Sequence, residues 1–256
     1  MKTASKQRFP TNSEVGMSWR ERLYEEYVGS GQAAGAGGEV TFEQSSIAAR
    51  SEGIRKTIRR FIPRRRDLRI VDLGCGHGDF VYHLTQLGYE NVEGVDVSTE
   101  QVQLARRLGV ENVVCDDIES YLSAQSTGSV DIVLLIDVIE HFKRQELFDL
   151  MDEVVRVLDS GGQCLVHVPN ALGLFGMRVR YGDLTHELAF TPNTIRQLFQ
   201  TVGLSEVECH EDPPGGRFRT RLWTWAILPV RALLWMEKPD EQSILSQNMY
   251  ATAVKK

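Results

Sequence analysis

The run Val71-Asp72-Leu73-Gly74-Cys75-Gly76-His77-Gly78-Asp79-Phe80 constrains this chain more than any other stretch. It follows the apolar residues Leu68, Ile70 and Val71 and precedes a helical pattern, so it reads as a tight glycine turn from a strand into a helix. Gly74 and Gly76 let bare backbone approach a ligand where a Cβ would obstruct it, and Gly78 allows close helix packing. The helix aims its first N–H groups at the same place. Such a turn is a nucleotide cradle.

The kind of nucleotide follows from two details. The dinucleotide fingerprint is G-x-G-x-x-G, but here Asp79 stands where the third glycine would fall. Asp72, two residues before the first glycine, would repel a diphosphate and suit a cationic ligand. The pattern D-x-G-x-G-x-G resembles motif I of the class I S-adenosylmethionine-dependent methyltransferases, whose ligand carries an ammonium and a sulfonium. The resemblance implies that Asp72, Gly74, Cys75, Gly76 and Gly78 line the cofactor. It continues in order along the chain. Asn91 to Val97 reads as a second strand whose Asp96 suits the ribose hydroxyls, with Val97 beside it. After the third strand, Asp117 matches the family's acid for the adenine amine and Ile118 would pack on the ring. Ser129 to Ile136, apolar from Ile132 onward, reads as a strand ending at Asp137, counted with the cofactor residues. Val155 to Gly162 resembles the family's R-x-L-x-x-G-G turn before a fifth strand, Gln163 to Val168.

Strands and helices alternate from Leu68 to Val168, which predicts an α/β fold with a parallel sheet and helices on both faces. The resemblance makes this a Rossmann-like, seven-stranded, mostly parallel sheet whose last strand, Gln247 to Val254, runs antiparallel. Ligands in such sheets bind beyond the carboxyl ends of the strands, and Gly74, Asp96, Asp117, Asp137 and Asn170 all fall there. With 256 residues and 42% apolar content, one domain with extensions is expected. A net charge of −6 argues against a dedicated nucleic-acid surface. The four cysteines are isolated, which suggests neither a zinc site nor a disulfide framework, and Cys75, Cys115 and Cys164 read as small core residues.

The opening MKTASKQRFP has no apolar stretch of the signal-peptide kind, so a cytoplasmic protein is expected. Residues 1–40 read as a mobile segment with a helix from Trp19 to Val28 and a glycine-rich linker. Similar methyltransferases carry a lid with a Tyr-x-x-Tyr element, here Tyr24 and Tyr27; a helix packed on the core is the alternative. Residues 41–256 are then the methyltransferase domain. Its first helix, Phe42 to Ile62, carries Arg55, Lys56, Arg59 and Arg60 on a solvated face, with an acidic partner or lipid headgroup as the other reading.

The acceptor is read from the histidines, because an alcohol attacks a sulfonium methyl only if a base takes its proton. His141 follows the fourth strand in Asp137-x-x-Glu140-His141. His186 lies in Tyr181-Gly182-Asp183-Leu184-Thr185-His186-Glu187, within an acceptor-side segment 171–192. His186 is expected as the base, with Asp183 orienting it and His141 as the second candidate; His77 lies inside the cofactor loop, and His83, His167 and His210 look structural. Asp183, His186 and Glu187 lack a recognised ligand spacing, so no metal is expected. The [ND]-P-P-[YF] box of base N-methylating enzymes is replaced by Asp137-Val138-Ile139-Glu140.

A Trp-rich insert at 213–240 sets tryptophans and leucines among arginines. Leu222 to Trp235 would suit a peripheral membrane contact, a homodimer contact or a groove for a large acceptor. Its apolar part is too short to span a bilayer. With the Tyr181 to Pro192 segment, the insert resembles bacterial methyltransferases of glycan and polysaccharide biosynthesis. The expectation is base-assisted SN2 methylation of a sugar hydroxyl on a glycan or glycolipid-type acceptor. The alternatives are a quinone or phenol O-methyltransferase and a non-catalytic cofactor-binding scaffold subunit.

Overall fold

The computed structural model describes residues 44–237 and 243–256 together with Trp19 and Leu23, and for residues 44–51 the backbone alone. The expected lid element, Tyr24 and Tyr27, lies outside the described residues.

Short β-branched runs alternate with amphipathic segments, and each becomes the element its period dictates. The strands are β1 (Arg69–Leu73), β2 (Asn91–Asp96), β3 (Val113–Cys115), β4 (Val130–Ile136), β5 (Leu158–Pro169), β6 (Leu204–Glu211) and β7 (Asn248–Lys255). The helices are α1 (Gln44–Phe61), α2 (Asp79–Gln86), α3 (Thr99–Arg107), α4 (Ile118–Ala124), α5 (Arg144–Val157), α6 (Gly176–Arg180), α7 (Pro192–Thr201), α8 (Arg217–Ala226) and α9 (Leu228–Glu237).

Among the described residues the strands form one seven-stranded sheet in the order β3-β2-β1-β4-β5-β7-β6. β7 pairs antiparallel with both β5 and β6, and the pairings from β3 to β5 are parallel, as expected. β1 lies between β2 and β4, so the chain winds away from it in both directions. The glycine turn that leaves β1 therefore sits at the topological switch point, where open α/β sheets bind ligands.

The period of two along each strand separates two cores. Val71, Val133 and Leu135 face one side with Val154, Ile195 and Phe199 of α5 and α7. Ile70, Ile132 and Leu134 face the other with Ile58, Leu84 and Val102 of α1, α2 and α3. Arg55, Lys56, Arg59 and Arg60 on α1 are exposed, the solvated face expected of them.

Two expectations change, and the insert gains a definite form. The stretch Val155 to Gly162 is not a turn: α5 ends at Val157 and β5 begins at Leu158. A register irregularity between Val130 and Ile132, with Gly161 at φ 77°, absorbs the extra residues as a bulge. Cys115 is exposed rather than buried because β3 is a three-residue edge strand; Cys164 is buried and Cys75 half-buried. The Trp-rich insert folds as two short helices, with Pro229 in the first turn of α9, where it costs no hydrogen bond. Neither helix buries a side chain, and no described helix is long and apolar enough to cross a membrane.

The insert is tied at its base. Asn170, buried just beyond β5, donates from Nδ2 to the carbonyls of Ile244 (2.9 Å) and Ser246 (3.0 Å). Glu211, closing β6, accepts from the backbone N–H groups of Leu245 and Ser246 and holds Arg231 at 2.7 Å.

Candidate active site

The glycine turn is stitched to β2 before it reaches any ligand. The N–H groups of Gly74 and Cys75 donate to the Val95 carbonyl at 2.8 and 3.0 Å. Gly74, Gly76 and Gly78 all have positive φ, which L side chains rarely adopt. A Cβ at Gly74 would stand 2.6 Å from Val138 Cγ2, and one at Gly78 would stand 3.0 Å from Val110 and Val113. At Gly76 a Cβ would meet nothing described nearer than Gln101 Oε1 at 3.9 Å, so this glycine faces open space. Gly78 caps α2, as its close-packing role requires.

Two carboxylates flank the turn. Asp96, at the end of β2, accepts the Gly76 N–H on Oδ2 (2.7 Å) and the Ser98 N–H on Oδ1 (2.9 Å). Burial raises its pKa, and those two hydrogen bonds oppose the rise. Asp72 is buried within β1, and its Oδ1 has no hydrogen-bond partner among the described residues. Burial, with Asp96 and Asp79 nearby, pushes its carboxyl up to about 8. Such a group accepts a cationic donor readily. Cys75 is half-buried, and burial raises its thiol.

The remaining cofactor-side residues are more varied. Val97 is exposed at the rim beyond β2. Asp117 caps α4, its Oδ1 accepting from the N–H groups of Glu119 (2.9 Å) and Ser120 (3.2 Å). Ile118 packs half-buried against the core. Asp137, at positive φ just past β4, holds His167 Nδ1 at 2.7 Å, and His167 Nε2 lies 3.3 Å from Asp212. Burial alone would depress the His167 pKa, but Asp137 and Asp212 on either side raise it well above the ordinary value. His167, which looked structural in the sequence, bridges two rim acids.

Val138 joins this half of the site to a second cluster, because the 3₁₀ turn Ile139–His141 follows it directly. Glu140 in that turn is fully buried, and neither carboxylate oxygen has a hydrogen-bond partner among the described residues. Burial, and then Asp137, push its pKa well above the usual range. Its carbonyl accepts from the N–H groups of Glu187 (2.8 Å) and Leu188 (3.0 Å), which pins the 183–188 loop against the turn. The rings of His141 and His186 meet edge to face, 4.7 Å between centroids. One ligating atom each from Glu140, His141 and His186 lies within 4.8 Å of the others.

The hydrogen bonds here fix a tautomer. Thr185 Oγ1 donates to Asp183 Oδ1 at 2.6 Å, so its contact with His141 Nδ1 at 2.9 Å must be one it accepts. The Nδ1 position of His141 therefore carries the proton, and Nε2 presents a lone pair. Burial, and then His186, lower the His141 pKa to about 4, which keeps the ring neutral near pH 7.

The structure thus brings together the three residues expected to handle the acceptor proton. Asp183 reaches His141 through Thr185 and also lies near enough to His186 for the two charges to interact. Glu140 and Thr185 were not legible as site residues. For Glu140 a signal existed, an acid between Ile139 and His141 directly after an apolar strand, where solvation is poor.

A glycine turn at a switch point, a buried acid suited to a cation and an adjoining neutral imidazole define a Rossmann-like nucleotide-binding domain with room for proton chemistry. Residues 71–166 match the family described as a methyltransferase domain. Over those residues the chain is similar to the class I S-adenosylmethionine-dependent methyltransferases, whose cofactor is S-adenosylmethionine. The orphaned Asp72 oxygen and the open space at Gly76 fit that cofactor's charge and close backbone approach.

Among curated proteins, ubiquinone biosynthesis O-methyltransferase of Cupriavidus pinatubonensis is 28% identical over 155 residues, covering 55% of this chain and 61% of that one. Ajmaline N-methyltransferase of Rauvolfia serpentina is 32% identical over 109 residues, covering 41% and 37%. The chain spans less than two thirds of either relative. Among solved structures, a SAM-dependent methyltransferase from Archaeoglobus fulgidus superposes with TM-score 0.62 at 22% identity, covering 80% of this chain and 94% of that one. A Haemonchus contortus phosphoethanolamine N-methyltransferase 2 superposes with TM-score 0.58 at 19% identity, covering 93% and 60%. At those identities the likeness is one of fold.

Proposed function

We propose that this protein methylates a hydroxyl oxygen on the sugar of a glycan or glycolipid-type acceptor. The observation that carries the oxygen assignment is the Glu140–His141–His186 cluster, reached through Val138 from the glycine turn. S-adenosylmethionine supplies, when bound, a methyl group already activated on a sulfonium. The chain's task is to align the acceptor, exclude water and receive a proton. Asp72 and the Gly74–Gly78 backbone hold the cationic end, Asp96 the ribose diol, and Val97, Asp117 and Ile118 the base. Asp117 does so from the cap of α4, which leaves its second oxygen for the ligand. The hydroxyl proton leaves toward the cluster, where His141 is held neutral by burial.

The acceptor class is argued from α8 and α9. Phe218, Leu222, Trp225, Leu233, Trp235 and Met236 are exposed on two helices that also carry Arg217, Arg219 and Arg221. Tryptophans flanked by arginines suit a membrane–water interface and hence a lipid-linked substrate. A quinone or phenol acceptor is the second reading, favoured by the similarity to ubiquinone biosynthesis O-methyltransferases.

The test is transfer of labelled methyl to lipid-linked glycans, nucleotide sugars and phenols. Transfer to the first two supports the proposal, and transfer confined to phenols moves the assignment to the second reading. Cofactor binding without transfer to any of them would favour a scaffold subunit.

A further inference from the structure

The geometry points to a divalent metal site, of the zinc class, formed by Glu140, His141 and His186. This deepens the oxygen-acceptor reading and rests on it only for the metal's role. Two imidazoles and one carboxylate are a common transition-metal donor set, and they leave positions open for water or substrate. Their ligating atoms lie within 4.8 Å of one another. Donors around a tetrahedral zinc stand about 3.4 Å apart, so the set needs to contract by little more than about an ångström.

A second observation is independent of that spacing. Glu140 is fully buried, yet both of its carboxylate oxygens lack a hydrogen-bond partner among the described residues. Buried polar atoms are nearly always satisfied, and an orphaned pair beside two imidazoles is what an ion would satisfy. His186 Nδ1 is likewise buried with no partner among the described residues.

The outer contacts agree. A ligating histidine usually gives its other N–H to an oxygen acceptor that fixes its orientation. His141 gives its Nδ1 proton to Thr185, itself anchored on Asp183, so Nε2 is the ligating atom. The Glu140 carbonyl holds the amides of Glu187 and Leu188, which keeps the His186 loop beside the turn. The ligands come from two segments far apart in sequence, which is why no ligand spacing was legible. An ion held there would polarise the acceptor hydroxyl in an open position and would take over from His141 in promoting its deprotonation, the proton then passing to solvent water.

The experiment is calorimetric titration of Zn²⁺ into the full chain after chelator treatment, paired with the visible spectrum of the Co²⁺ form. We expect one ion per chain and the absorption of a low-coordinate cobalt. Glu140→Gln, isosteric and neutral, should weaken Zn²⁺ binding at least tenfold, and His186→Gln should do the same. A chain that binds no ion, or whose affinity is unchanged in both variants, overturns the site. Methyl transfer is scored separately. Stoichiometric Zn²⁺ binding without transfer to any acceptor keeps the metal site and defeats the acceptor reading. Full transfer rates in the chelated protein keep the acceptor reading and overturn the metal's role.

Discussion

Thr185 accepts the Nδ1 proton of His141 at 2.9 Å, and this one hydrogen bond leaves Nε2 as the nitrogen that carries the lone pair. Thr185 is therefore a positioning residue. Thr185→Val should lower kcat by about 10- to 100-fold with little change in cofactor KM. Thr185→Ser should restore most of the loss, and the ¹⁵N shifts of His141 should report the tautomer change. Equal kcat in the valine variant would remove the role.

Asp72 makes stability depend on pH in an uncommon direction. The folded chain holds this proton up to about pH 8, whereas an unfolded chain loses it near 3.8. The ligand-free protein therefore loses stability as pH rises from about 4 to 8 and is level above that. Asp72→Asn removes the loss and should stabilise the ligand-free protein by roughly 2–4 kcal/mol at pH 7. Thermal melts across that window check the sign. Cofactor binding at pH 7 should release a proton, seen as a calorimetric enthalpy that varies with buffer, and the asparagine variant should release none.

Asp96 is tested by truncation. Asp96→Ala deprives the Gly76 and Ser98 amides of their partners and, on the proposed reading, removes the charge-assisted contact Asp96 would make with the ribose. Cofactor affinity should fall about 10- to 100-fold, from roughly 1.5 to 3 kcal/mol. Calorimetry reads it, and unchanged affinity would end the assignment.

The glycines should separate packing from binding. Gly74→Ala drives a methyl against Val138 and should destabilise the fold by about 2–4 kcal/mol, combining overpacking and left-handed strain. Gly76→Ala meets open space, so it should cost only about 1–2 kcal/mol of strain while abolishing cofactor binding. Denaturant melts and calorimetry on both variants make the comparison.

The exposed helices make a separate claim. Trp225→Asp with Trp235→Asp should abolish flotation on phosphatidylglycerol vesicles and spare transfer to a water-soluble phenol or sugar. Loss of a dimer peak in gel filtration, with vesicles ignored by the parent protein, would instead assign the helix pair to self-association.

The sheet was legible because β1, β2 and β4 are short runs rich in Val, Ile and Leu between turn signals, and the family resemblance supplied the antiparallel β7. The cradle was legible for a similar reason, since glycine turns are local. What escaped was non-local or solvent-dependent. The bulge in β5 depends on pairing with β4, and the exposure of Cys115 on β3 standing at an edge. Glu140 and Thr185 join the site only when the turn after β4 meets the 183–188 loop.

Asn170 and Glu211 give the Trp-rich helices a single neck, since the excursion leaves and rejoins the sheet at residues these two side chains clamp. The helix pair is thereby a cassette. A change in its length or sequence should leave the geometry of the cofactor half intact. A change of acceptor could be grafted at that neck without re-engineering the catalytic floor.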